Sequence, residues 1–241
     1  MRAYLELGKI GIEFLKLRFK STRMDEEGWR KECEKTAKKL LKKYDVVLDV
    51  EGQPGDGNLC ANHTSWLDTL ILPAQKMAGA VAKAETRNYP VVGKVFQTAN
   101  WLFVERDKKS SRRETIEAIK NWPIMEKPLW VLPEGTCTAN DEIGEFKKGI
   151  FVAAEKTGAP INVMVFYYTN QSLDWSRENS LIEGMKKYFY SGSGTIVKGR
   201  WIAPITVERG KVEEAMKELR VRMQTVLKEL IDSCNESNGQ E

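Results

Sequence analysis

The chain has 241 residues, 41% hydrophobic and 30% charged, with 8 prolines and a formal net charge of +4; this composition excludes disorder over most of the length and suits one large α/β domain with a full core. Cys33, Cys60, Cys137 and Cys234 lie far apart without a C-x-x-C pair, which argues against a zinc site or a disulfide framework and fits a reducing cytoplasm. No stretch approaches the ~20 consecutive apolar residues of a membrane span, and charge interrupts the first twenty residues too often for a cleaved signal peptide.

The first segment, MRAYLELGKIGIEFLKLRFKSTR, places Arg2, Glu6, Lys9, Glu13, Lys16, Lys20 and Arg23 at steps of three and four, one polar stripe on a helix. Beside it Tyr4, Leu5, Leu7, Ile10, Ile12, Phe14, Leu15, Leu17 and Phe19 cover more than half the circumference, wider than a surface helix needs. A second helix over about residues 26–44 has a narrower seam of Trp29, Cys33, Ala37, Leu40 and Tyr44 among lysines. The two form a hairpin broken near STRMDEEG. Residues 1–44 hold 13 Lys/Arg against 7 Asp/Glu, so the basic character belongs to this hairpin. It either packs on the core or lies on a membrane surface, its apolar residues in the acyl boundary and its lysines on anionic head groups. A nucleic-acid arm fits less well, because the aromatics share a face with aliphatics instead of alternating with the basic residues.

After residue 45 short β-branched runs alternate with helical stretches, the mark of a largely parallel sheet covered by helices. Strands are expected at VVLDVEG, NLCAN, GAVAKA, WLFVER, LWVLP, INVMVFY and TIVKGRWIAPI. Helices are expected over about residues 66–77, 90–99, 111–122, 147–157 and 211–234, followed by a frayed polar tail, NESNGQE. The expected fold class is therefore α/β: a mostly parallel mixed sheet of about seven strands behind an amphipathic two-helix hairpin.

ANHTSWLD, residues 61–68, contains the only histidine. His63 falls where a strand gives way to a helix, with Ser65 as N-cap, so its side chain can project at the carboxyl edge of the sheet where α/β ligand sites form. Five residues of continuous helix turn through about 500°, so His63 and Asp68 meet only if His63 lies off the helix and the chain doubles back. Asp68 would then fix the tautomer and leave the other ring nitrogen as a general base. Ser65-x-x-Asp68 is equally a capping box. A serine nucleophile is disfavoured, since there is no G-x-S-x-G elbow and Ser65 is too close in sequence to serve its neighbour's ring. The histidine would instead activate a substrate hydroxyl.

Three further stretches follow in order: WLFVERD at 101–107, LPEGTCTAN at 132–140 with EFKKG at 145–149, and GAPINVMVF at 158–166. With NHTSWLD they resemble the four blocks of the glycerolipid acyltransferase family, which includes the 1-acylglycerol-3-phosphate and lysophospholipid acyltransferases: N-H-x-S-x-x-D, G-x-x-F-[IV]-x-R, [FV]-P-E-G-T and V-P-[IV]-x-P. The resemblance covers about residues 58–166. It implies that His63 takes the proton of an acceptor hydroxyl, that Asp68 orients the ring, and that no acyl-enzyme, metal or cofactor is needed. Arg106, whose rigid fork suits a phosphate, would hold the acceptor, although pairing with Glu105 or Asp107 would look the same in sequence. Glu134, Gly135 and Thr136 would bring backbone N–H groups to a phosphate or an oxyanion, and Lys83, with Arg87 and Lys147 less securely, would enlarge the cationic cleft. Asn100, Cys137, Thr138 and Val163 depart from the blocks. The Cys-Thr pair replaces a common Arg-Ser, which blurs the choice of acceptor more than the type of reaction.

The implied reaction moves a fatty acyl group from acyl carrier protein or coenzyme A to 1-acyl-sn-glycerol 3-phosphate, glycerol 3-phosphate or another lysophospholipid. The expected division is a membrane-surface anchor at 1–44 and an acyltransferase domain at 45–241. The expected setting is peripheral or monotopic, on the cytoplasmic face of an anionic membrane, with no nucleic-acid partner. A lysophospholipase or thioesterase, or a non-catalytic lipid-binding protein, would carry many of the same features.

Overall fold

The computed structural model describes residues 2–88, 93, 96–97, 101–105, 109–123, 126–175, 181–191 and 194–238; within these, the side chains at 2–4, 7, 14, 18, 109–112, 181, 182, 237 and 238 lie outside the description. Helices α1 (Arg2–Ser21) and α2 (Glu26–Lys43) come first, and Asp25 caps α2 by accepting from Gly28 N at 2.9 Å. Then follow β1 (Val46–Glu51), β2 (Asn58–Ala61), α3 (Asp68–Gln75), β3 (Gly79–Lys83), a 3-10 turn (Ala84–Asn88), β4 (Leu102–Val104), α4 (Lys109–Lys120) and β5 (Leu129–Val131). The chain continues through α5 (Gly149–Thr157), β6 (Ile161–Tyr168), a 3-10 turn (Gln171–Leu173), α6 (Leu181–Ser191), β7 (Thr195–Ile205) and α7 (Val212–Asn238).

The seven strands form one sheet in the order β1-β7-β6-β2-β5-β3-β4. From β6 to β4 all neighbours are parallel. β7 runs antiparallel to β6, and β1 parallel to β7. The mixed, mostly parallel sheet expected from the sequence is thus the one observed. Gly57 sets the entry to β2: its φ is +118°, and a Cβ there would stand 2.5 Å from Pro160 O. Only glycine lets the two backbones cross so closely.

Side chains alternate faces along each strand. On one face Leu59, Ala61, Met164, Phe166 and Tyr168 pack with α2, α3 and α6. On the other, Cys60, Ile161, Val163 and Val165 pack with α5 and α7. Strand β6 is central and wholly buried, which explains its near-continuous apolar sequence.

Three expectations need correction. Helix α3 begins at Asp68, with Leu67 at the N-cap and no side-chain cap bond, so Ser65 does not cap it. The C-terminal helix runs through Asn238 instead of fraying after Cys234; NESN contains no helix breaker, and buried Cys234 fixes the preceding turn. Helix α6 is absent from the expected set. The helix expected over 90–99 falls mostly outside the described residues.

The hairpin is packed on the sheet unit. Ala37, Leu40, Leu41 and Ile10 belong to the same buried cluster as Leu59 and Phe166. The charged stripe of α1 turns toward α2: Glu13 bonds Lys16 at 2.8 Å and Lys39 at 3.0 Å, and Lys20 reaches Glu32 at 2.5 Å. The Lys16 and Lys39 ammonium groups hold the Glu13 carboxyl down to about 2. With that stripe engaged, Leu5, Ile12, Leu15 and Phe19 face solvent, Leu5 at 60% and Phe19 at 63% exposure.

Candidate active site

Because five strands are parallel, their carboxyl ends share one edge, where open α/β sheets bind ligands. His63 follows β2 there, the Glu134 turn follows β5, Lys83 ends β3 and Tyr168 ends β6. The two catalytic candidates meet: His63 Nδ1 lies 2.7 Å from Asp68 Oδ2. The ring stands before the helix begins, as the meeting requires. Asp68 is 1% exposed and His63 20%, so the carboxylate is sealed and the ring is partly open.

The Asp68 carboxylate folds back over its own approach. Oδ2 also accepts from Thr64 N at 3.0 Å and Ser65 N at 3.1 Å, while Oδ1 accepts from Tyr168 Oη at 2.5 Å. With Nδ1 donating to a carboxylate, the basic lone pair of the neutral ring resides on Nε2. Burial opposes charge on the ring, but the hydrogen bonds and charges of Asp68 and Cys137 together outweigh it and raise the His63 pKa above its ordinary 6.5. Cys137 adds to that rise only as a thiolate, and burial pushes its thiol up.

Two asparagines extend the ladder where β6 runs past its neighbours. Asn62 Nδ2 donates to Phe166 O at 2.9 Å and Asn62 Oδ1 accepts from Phe166 N at 3.0 Å. Asn140 does the same to Tyr168 O and N, at 2.8 and 3.1 Å. The loop bearing His63 and the loop after β5 are thereby fixed to one strand.

Glu134, expected at the phosphate, occupies the scaffold beneath the histidine. It is 2% exposed; Oε2 accepts from His63 N at 2.6 Å, and Oε1 from Gly144 N at 2.9 Å and Thr138 Oγ1 at 3.0 Å. Burial pushes its pKa above the ordinary carboxyl value, against the pull of these donors. Gly135 has φ +71° and spends its N–H on Leu132 O at 3.1 Å, so what it contributes is the turn itself. Thr136 is exposed next to it. Thr138 N closes the arrangement by donating to His63 O at 2.8 Å.

Cys137 was recognised in the sequence only as a departure from the family pattern, yet its Sγ lies 3.4 Å from Nε2 and 3.7 Å from Nδ1 of His63. Near-equal distances place the sulfur against the ring between the nitrogens, off the Nε2 lone pair, which points away from Nδ1. Cys137 therefore does not occupy that lone pair.

Lys83 is exposed two strands from β2, about 10 Å away at the usual strand spacing. Lys147 is exposed, and its Cγ would lie 3.6 Å from a Cβ placed on Gly135. Arg87 sits over the Phe103 ring at 4.9 Å. Arg106 lies outside the described residues; β4, which precedes it, ends on the same edge. Among the described residues no group of three or more His, Cys, Asp or Glu side chains is arranged to hold a metal ion.

The sequence pattern of a family described as Acyltransferase matches residues 27–167. Lysophosphatidylcholine acyltransferase 1 of Homo sapiens is 34% identical over 125 residues, covering 48% of this chain and 22% of that protein. Lyso-ornithine lipid O-acyltransferase of Brucella abortus (strain 2308) is 27% identical over 154 residues, 62% of this chain and 55% of that one. The chain therefore spans only about a fifth of the first relative and about half of the second. The crystal structure of the 1-acyl-sn-glycerophosphate (LPA) acyltransferase of Thermotoga maritima superposes with a TM-score of 0.65 at 22% identity, covering 94% of this chain and 98% of that one, which shows a common fold.

Proposed function

The chain belongs to the acyltransferase family, and from that premise we propose that it transfers a fatty acyl group from a thioester carrier to the free hydroxyl of a lysophospholipid, 1-acyl-sn-glycerol 3-phosphate being the first choice. The observation that carries the reading is the 2.7 Å bond between His63 and a sealed Asp68, which leaves Nε2 basic at the open edge of the sheet. The acceptor hydroxyl gives its proton to Nε2 while its oxygen attacks the thioester carbonyl carbon. As the tetrahedral intermediate collapses the C–S bond breaks, and the carrier thiolate takes the proton from the imidazolium. Asp68 supports that imidazolium and needs no proton of its own. In this reading Arg106 and Lys83 hold the acceptor phosphate, and the 134–136 turn lies beside the developing oxyanion.

The deciding assay incubates the protein with labelled lysophosphatidate or lysophosphatidylcholine and with acyl donors on acyl carrier protein or coenzyme A, then separates the lipids. Diacyl product is expected, most of all from lysophosphatidate. Free fatty acid without diacyl lipid would favour a thioesterase or lysophospholipase, and no turnover with any pair would sink the reading.

The second part of the proposal is that the protein works on the cytoplasmic face of an anionic membrane through α1. Among the described residues no helix is long and apolar enough to cross a bilayer, whereas Leu5, Ile12, Leu15 and Phe19 form one exposed apolar stripe beside the lysines. Such a helix lies in the interface plane. Replacing Ile12 and Leu15 together by Asp should weaken binding to anionic vesicles by about 10²-fold or more, each buried aliphatic side chain contributing about 1.5–3 kcal/mol. Both residues are exposed, so thermal unfolding should barely move. Unchanged flotation would remove the anchor.

A further inference from the structure

Tyr168 had no place in the expected site, yet its hydroxyl is the donor to Asp68 Oδ1, at 2.5 Å, while the other carboxylate oxygen serves His63, Thr64 N and Ser65 N. The residue is fully buried. Asn140 fixes its backbone from both N–H and C=O, and its ring meets Phe166 edge-on with centroids 5.6 Å apart. A hydroxyl fixed at both ends of its residue cannot follow a wandering carboxylate.

We propose that Tyr168 is a positioning residue for acyl transfer: by holding Asp68 Oδ1 it fixes the plane in which Oδ2 meets the imidazole, and by drawing charge off the carboxylate it makes the ring release its proton more readily. The proposal rests on the general-base reading of His63. The titratable groups facing the ring are Asp68 from α3, Glu134 and Cys137 from the loop after β5, and Tyr168 from β6 acting through Asp68. Tyr188 of α6 stands behind, its own hydroxyl donated to Tyr44 O at 2.7 Å. Among the described residues Tyr168 alone reaches Oδ1.

The direction of the effect follows from charge. Without the phenol, the neutral-ring state keeps a more concentrated carboxylate charge, whereas the imidazolium state compensates that charge directly. Proton uptake therefore becomes more favourable whichever atom of the pair holds the proton.

His63 is the chain's one histidine, so its imidazole nitrogens can be followed by NMR in labelled full-length protein without assignment ambiguity. Wild type should titrate above 6.5, and Tyr168→Phe should move the midpoint up by about one pH unit, the effect of a hydrogen bond to a charged group. Replacing Tyr168 site-specifically by 3-fluorotyrosine, a stronger donor of the same shape, should move it down; this substitution carries the test if the phenylalanine variant fails to fold. Unmoved midpoints would overturn the proposal. The acid limb of kcat/KM, measured on the same proteins, should move with the ring. A ring that shifts while the limb stays would uphold the role of Tyr168 at Asp68 and refute the general base, so the two failures are separable.

Discussion

His63→Ala is expected to lower acyl transfer by about 10²- to 10⁴-fold, the usual contribution of a positioned general base, with the fold intact. The expectation of a sound fold comes from how the residue is held. Its main-chain N–H and C=O, donating to Glu134 Oε2 and accepting from Thr138 N, make the loop's structural contacts. The ring is 20% exposed, and the Asp68 carboxylate that loses it keeps Thr64 N, Ser65 N and Tyr168 Oη as donors. The loss should fall on kcat, because the ring meets the acceptor proton only as the transition state forms. Full activity in this variant, with an unchanged circular dichroism spectrum, would end the mechanism.

Glu134→Ala should instead cost about 2–6 kcal/mol of folding stability, because it strands two buried backbone donors, His63 N and Gly144 N, at about 1–3 kcal/mol each. Thr138 Oγ1 can turn to His63 O or Glu142 O, within 3.3 and 3.1 Å, and should add little. Glu134→Gln should cost roughly half as much: the two carboxylate oxygens each receive an N–H, so an amide satisfies one donor and opposes the other. Urea unfolding followed by tryptophan fluorescence checks both values. A substrate-binding role would give the opposite pattern, with an unchanged midpoint and a raised acceptor KM.

The sequence revealed most about whatever has a period or an order. The seven strands, the α2 seam and the meeting of His63 with Asp68 follow from alternation, helical spacing and the four blocks. Helix α6 was missed, because Gly184 and two lysines weaken the pattern that Met185, Tyr188 and Phe189 set. What spacing cannot show is how a buried polar atom is satisfied, since its partners come from other segments. Asp68 needed Tyr168, 100 residues away, and Glu134 needed Gly144 N and His63 N, the second 71 residues back. The Glu134 turn was expected for its backbone N–H groups, whereas the hold of its carboxylate on His63 N and Gly144 N leaves no mark in the sequence. Cys137 reads in sequence as a substitution, and its place against the imidazole depends on a turn that Gly135 creates.

The bonds from Asn62 and Asn140 to β6 bear on how the protein comes into being. Asn62 must wait for Phe166, which the ribosome makes 104 residues later, and at about 5–20 residues per second that is a delay of roughly 5–20 s. During that interval Asn62 lacks its partner on β6 and Asp68 has no phenol. A nascent or truncated chain ending before β6 therefore carries the histidine and aspartate without the partners on β6 that hold them. The histidine loop and the aspartate take their final places only after β6 has docked.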